Sequence, residues 1–158
     1  MGPSQGHSPV QDGGHEFALV RRVCGRHAAA LVAIASLILD DFDAVGEVVS
    51  DAIAAVCVRD PTLDPDSEEA RARLATSVYR RCLGRLAVGE RYPGLVPLTN
   101  RTGAVSDRLA RLSLRHRAAV ALVLYGEQDI PMAADTLGIA EHDVLTDLTQ
   151  AAELIRAT

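Results

Sequence analysis

Apolar positions along this chain recur every three or four residues and almost never every second one, so the pattern predicts helices and no strands. Residues 16–39 read as one continuous helix that closes on the apolar run AAALVAIASLIL (28–39). That run is too short to span a bilayer and reads as a buried helix. The polar stretch DDFD (40–43) interrupts it and supplies caps for a second helix, 44–58, with Val45, Val48, Val49, Ala52, Ile53 and Val56 along one side. The segment RDPTLDPDS (59–67) carries two prolines and reads as a loop. Asp66 or Ser67 is placed to cap a third helix, whose first turn holds Glu68 and Glu69 at its positive end. Ala70, Leu74, Val78, Cys82 and Leu86 then recur every four residues and mark its buried stripe.

The pattern lapses in GERYPGLVPLTNRTG (89–103), rich in glycine and proline, and resumes as four short helices at about 104–112, 115–125, 129–136 and 141–156. Gly138 stands in the turn between the last two, and Val144, Leu148, Ala151 and Ile155 share one face of the last. The opening MGPSQGHSPVQDGG is poor in apolar residues, so disorder is expected there. The expected fold is all-α: a tail at 1–14, a three-helix domain at 15–90, a linker at 91–103 and a helix-turn-helix domain at 104–158.

Composition sharpens this picture in three ways. Aromatic residues are only 3%, so the core must be built from Ala, Val, Leu and Ile. The net charge of -5 argues against general nucleic-acid affinity, so any DNA contact requires a local arginine patch. The three cysteines, Cys24, Cys57 and Cys82, lie far apart and fit no zinc spacing, so they read as small buried residues in a reducing cytosol. No nucleophile–base constellation and no phosphate loop after a strand is visible, and the histidines are scattered. The expectation is therefore a cytoplasmic protein that is not an enzyme, takes no cofactor or metal, and has no membrane role.

Three stretches, in order, resemble the extracytoplasmic-function (ECF) sigma factors of bacterial RNA polymerase. AVGEVVSDAIAAV (44–56) is similar to the acidic helix with which that family grips the polymerase clamp. The resemblance implies partner contacts at Glu47, Val48, Ser50 and Asp51, with Ser50 standing where a Gln is usual. LATSVYRRCLGRL (74–86) looks like the promoter-melting helix, implying DNA contacts at Tyr79, Arg80, Arg81 and Arg85. Here Arg80 and Gly84 replace an Asn and an Asp common in the family. Residues 108–155 look like the domain that reads the distal promoter element, with a helix-turn-helix scaffold of Ala134, Leu137, Gly138, Val144 and Leu148.

The last of these departs from the family where charge matters. From Ala118 to Ile155 there is no Lys or Arg, against seven Asp or Glu. The outward face of the recognition helix should show His142, Thr146, Thr149, Gln150 and Glu153, with Leu145 and Asp147 at its flanks. Phosphate contacts supply most non-specific DNA affinity, so base-reading groups without them have nothing to hold them in place. The chain therefore reads as a divergent sigma-factor-like regulator acting mainly through protein contacts. Its partner would be core polymerase, an anti-sigma factor or a companion regulator, with promoter DNA bound weakly. The alternatives are an ordinary promoter-specific ECF sigma factor and a helical dimerisation module unrelated to transcription. Electrostatics adds one expectation: the acidic C-terminal domain should close over part of the Arg80, Arg81, Arg85 face in a salt-sensitive way.

Overall fold

The computed structural model describes residues 10–91 and 111–157, and every regular element among them is helical. The first segment holds α1 (Val10–Ile38), α2 (Phe42–Arg59) and α3 (Glu68–Arg91). The second holds α4 (Leu114–Val120), a π-helical turn (Ala121–Tyr125), α5 (Ile130–Leu137) and α6 (Glu141–Arg156).

Helix boundaries follow side-chain chemistry. Asp41 caps α2 by accepting from the Asp43 amide at 3.0 Å. Ser113 caps α4 from the His116 amide, and Asp129 caps α5 from the Met132 amide at 2.9 Å. Gly138 ends α5 in the left-handed region at φ 69°, a conformation that costs other residues a Cβ clash. The start of α3 differs from expectation. The Ser67 hydroxyl donates to the Asp64 carbonyl at 2.8 Å, and Asp66 turns to Arg22 and Arg26 on α1.

Three expected boundaries move. α1 begins at Val10, so residues 10–14 of the expected tail are helical, while 1–9 lie outside the described residues. Arg91 belongs to α3, and 92–103 of the expected linker also lie outside. Of the helix expected at 104–112, only Arg111 and Leu112 are described, and they form a turn.

α1, α2 and α3 pack on one another through Val23, Leu31 and Ile34, through Val45, Val49 and Ile53, and through Leu74 and Val78. That core does not stop at α3. It runs on through Ala118, Ala121, Leu122, Ala133, Ala134 and Val144, because α4 and the π-helical turn pack against α1 and α3. Small side chains allow this close approach. A Cβ added at Gly126 would stand 2.9 Å from the Ala75 Cβ and 2.5 Å from the Leu122 carbonyl oxygen.

Candidate functional site

The seam between the two segments is closed by the turn at residues 126–129. Glu127 there adopts φ 53°, a left-handed conformation unfavourable for a residue with a side chain. Its carboxylate meets Arg71 Nη1 on α3 at 2.8 Å. Arg71 also donates from Nε to His27 Nδ1 at 3.2 Å and from Nη2 to the Arg26 carbonyl at 3.3 Å. His27 is buried, and with Nδ1 accepting, its Nε2 donates to the Pro65 carbonyl at 2.7 Å. One guanidinium thus joins α1, α3 and the C-terminal segment. Beside it the buried Gln128 amide donates to the Ala72 carbonyl at 3.0 Å and to Thr76 Oγ1 at 2.8 Å, while its oxygen accepts from Thr136 at 3.1 Å. Arg117 on α4 adds an ion pair to Asp40 at 4.0 Å. No periodicity or motif in the sequence marks these polar residues as seam contacts.

This seam lies on the N-terminal half of α3. Arg80, Arg81 and Arg85, on a face expected to be partly covered, are all exposed, and Arg85 forms an ion pair with Glu47 on α2. Tyr79, expected to offer an aromatic face to DNA, is only 8% exposed and packs in the core, where burial pushes its phenol pKa up. It cannot stack on a base without unpacking α3.

On α2 the expected partner-binding residues divide. Glu47, Ser50 and Asp51 are exposed and line one shallow depression with Phe42, Asp43 and Gly46. Val48 is 3% exposed and belongs to the core, so its role is packing and not contact. Sequence periodicity passed over Phe42, which is 80% exposed at the first residue of α2. A bare phenyl ring beside Asp43, Glu47 and Asp51 is the kind of group that anchors protein interfaces.

The residues read as a helix-turn-helix scaffold lie on α5, on α6 and in the turn between them. Ala134 and Val144 are buried, Leu137 and Leu148 pack partly against the core, and Gly138 makes the turn. The outward face of α6 gathers His142, Leu145, Thr146, Thr149, Gln150 and Glu153 around a shallow groove. Three of its polar side chains are engaged within the protein, however. The Thr146 hydroxyl donates to the His142 carbonyl at 3.0 Å, and Thr149 does the same to Leu145 at 2.9 Å. The Gln150 side-chain oxygen accepts from His116 Nε2 on α4 at 2.9 Å. Asp147, expected at the flank of this face, is 2% exposed and held by Arg115 at 2.5 and 2.8 Å, a two-point pair that raises the Arg115 pKa. One of the four acids of α6 is thus structural, and one arginine that DNA could have used is committed to it.

The cysteines differ from the expectation of uniform burial. Cys57 and Cys82 are buried, and Cys24 is exposed on α1. Among the described residues no helix is long and apolar enough to cross a membrane.

No protein-family model matches this chain, and no curated protein matches it significantly. A solved structure of similar fold is that of the sigma factor RpoE in complex with the anti-sigma factor NepR from Bartonella quintana. The likeness has a TM-score of 0.61 at 17% identity and covers 93% of this chain and 96% of that one. It shows a sigma-factor-like fold.

Proposed function

We propose that the chain is a divergent sigma-factor-like regulator that acts mainly through protein contacts, with weakened promoter-DNA reading. Its partner would be core RNA polymerase, an anti-sigma factor or a companion regulator. The similar fold is drawn from a sigma factor held by an anti-sigma factor, which favours a protein partner of that class. The observation that carries the reading is the outward face of α6. It holds no Lys or Arg before Arg156, and both its threonine hydroxyls donate to the helix's own carbonyls. Nothing there grips phosphate, so nothing fixes the register in which bases could be read.

The partner surface in this reading is the exposed part of α2: Phe42, Glu47, Ser50 and Asp51. A protein with a basic rim around an apolar pocket fits it. Capture of purified core polymerase or of a cognate anti-sigma factor by the whole chain tests the idea. Replacing Phe42 with Ser and Asp51 with Arg together should abolish capture while leaving the circular dichroism spectrum unchanged, since both side chains are exposed. Unchanged capture by a folded variant would sink it.

The exposed Arg80 and Arg81 favour a second reading, an ordinary promoter-specific sigma factor. Under that reading the chain with core polymerase starts transcription at a defined promoter, and Arg80→Gln with Arg81→Gln abolishes it. Under the first, initiation from a promoter is weak or absent.

A further inference from the structure

A concentration of positive charge lies away from the partner surface, between the C-terminal half of α2 and the middle of α3. Arg73, Ser77 and Arg81 follow one another at intervals of four on α3, with Thr76 and Arg80 beside them, while α2 contributes Ala55, Val56 and Arg59 from the facing side. Together they line a groove of about 460 Å³.

Four guanidiniums line this groove, and of them only Arg73 has an ion-pair partner among the described residues: Asp60, which accepts from its Nη1 at 2.8 Å. Arg59, Arg80 and Arg81 form no ion pair among the described residues. A chain of net charge -5 has carboxylates to spare, yet leaves three arginines side by side. Like charges so placed repel, and a multiply charged anion relieves that repulsion. The guanidinium fork matches phosphoryl oxygens in pairs, and the Ser77 hydroxyl adds a short-range hydrogen bond.

We propose that this groove binds a small anion with two or more linked phosphoryl groups, a nucleoside polyphosphate or an inorganic oligophosphate. A volume of about 460 Å³ accommodates a compact ligand of this kind. α2 and α3 form its walls, and the C-terminal segment abuts it at Thr76, whose hydroxyl touches Thr136 at 3.2 Å and Gln128 at 2.8 Å. Ala55 and Val56 supply an apolar strip on which a base or sugar could rest. Asp60 holds Arg73 in position without neutralising the other three. The site is independent of the protein-contact reading above, which uses the acidic end of α2.

Isothermal titration of the full chain with sodium tripolyphosphate at low salt tests the proposal. The expected result is saturable one-to-one binding, weakened by about tenfold or more in the Arg80→Gln, Arg81→Gln double variant, in keeping with lost charge-assisted hydrogen bonds. Arg21→Gln, on exposed α1 surface, should bind as the parent does. A circular dichroism melt of each variant separates lost binding from lost fold, and Arg59→Gln provides a second disruption from the opposite wall. Three results would overturn the proposal: no saturable binding, equal binding by the folded double variant, or tighter binding of a short single-stranded oligonucleotide that displaces tripolyphosphate through the same arginines. The last would make the groove a nucleic-acid contact.

Discussion

The Gln128 side-chain amide donates to Thr76 Oγ1 at 2.8 Å across the seam between the C-terminal segment and α3. Gln128 is 3% exposed, and both ends of its amide are satisfied, by Ala72 and Thr76 on one side and Thr136 on the other. A bond of this kind forms only after the surrounding apolar surfaces have met. It therefore specifies how α3 and the C-terminal segment fit, while Leu122, Ala118 and Ala121 supply the burial.

Replacing Gln128 with Leu keeps the volume and removes the hydrogen bonds. The stability loss should be about 1–3 kcal/mol, the usual cost of leaving buried polar partners unmatched. Urea unfolding measures it. Hydrogen exchange should rise in α4 and α5 before it rises in α2. Uniform acceleration throughout the chain would show that the seam does not open by itself.

Because the seam is apolar with buried hydrogen bonds, closure should resist salt. The ion pairs at its edge, Arg71–Glu127 and Arg117–Asp40, join half-buried arginines to exposed carboxylates, so they are partly screened and worth about 1 kcal/mol each. Small-angle scattering should give the same radius of gyration at low and high ionic strength. Expansion at high salt would restore the electrostatic closure that charge distribution alone suggests.

That contrast marks where the sequence was informative. Periodicity identified the stripes of α2 and α3 because each residue's burial depends on its own helix, and Gly138 announced the turn because few residues tolerate its φ. The seam was illegible because it depends on which helices meet. Nothing near Arg71 in sequence points to Glu127, 56 residues away. Summed charge also misled at Asp147, which looks like one more acid on an outward face until the helix phase and Arg115 place it inside. Phe42 escaped notice for the opposite reason: it stands inside DDFD, a stretch read only as a polar break, and its exposure is visible only in three dimensions.

The thiols should separate cleanly. Burial pushes Cys82 up to about 12, and burial, with smaller contributions from Cys24 and Glu16, raises Cys57. Only thiolates attack disulfide reagents, so these two should be inert in the folded protein at neutral pH while exposed Cys24 reacts. Titration with a chromogenic disulfide should count one thiol in buffer and three in denaturant. Rapid reaction of a second thiol without denaturant would mean that α2 or α3 opens locally.

Asp60 offers a test by pH. Its carboxyl pKa is lowered first by the hydrogen bond from Arg73, then by that from the Thr62 hydroxyl. A carboxyl whose pKa is lower folded than unfolded contributes stability above its unfolded pKa, and loses it as pH falls through the folded value. Asp60→Asn should therefore lower the melting temperature at neutral pH, and the difference should vanish once pH falls below the usual carboxylate range. Asp60 is also the C-cap of α2, its amide bonding the Val56 carbonyl at 3.0 Å, and the variant preserves that backbone bond. A pH-independent penalty would assign the loss to the side chain's shape or its Thr62 contact. A penalty confined to neutral pH would assign it to the charge that holds Arg73 at the edge of the arginine groove.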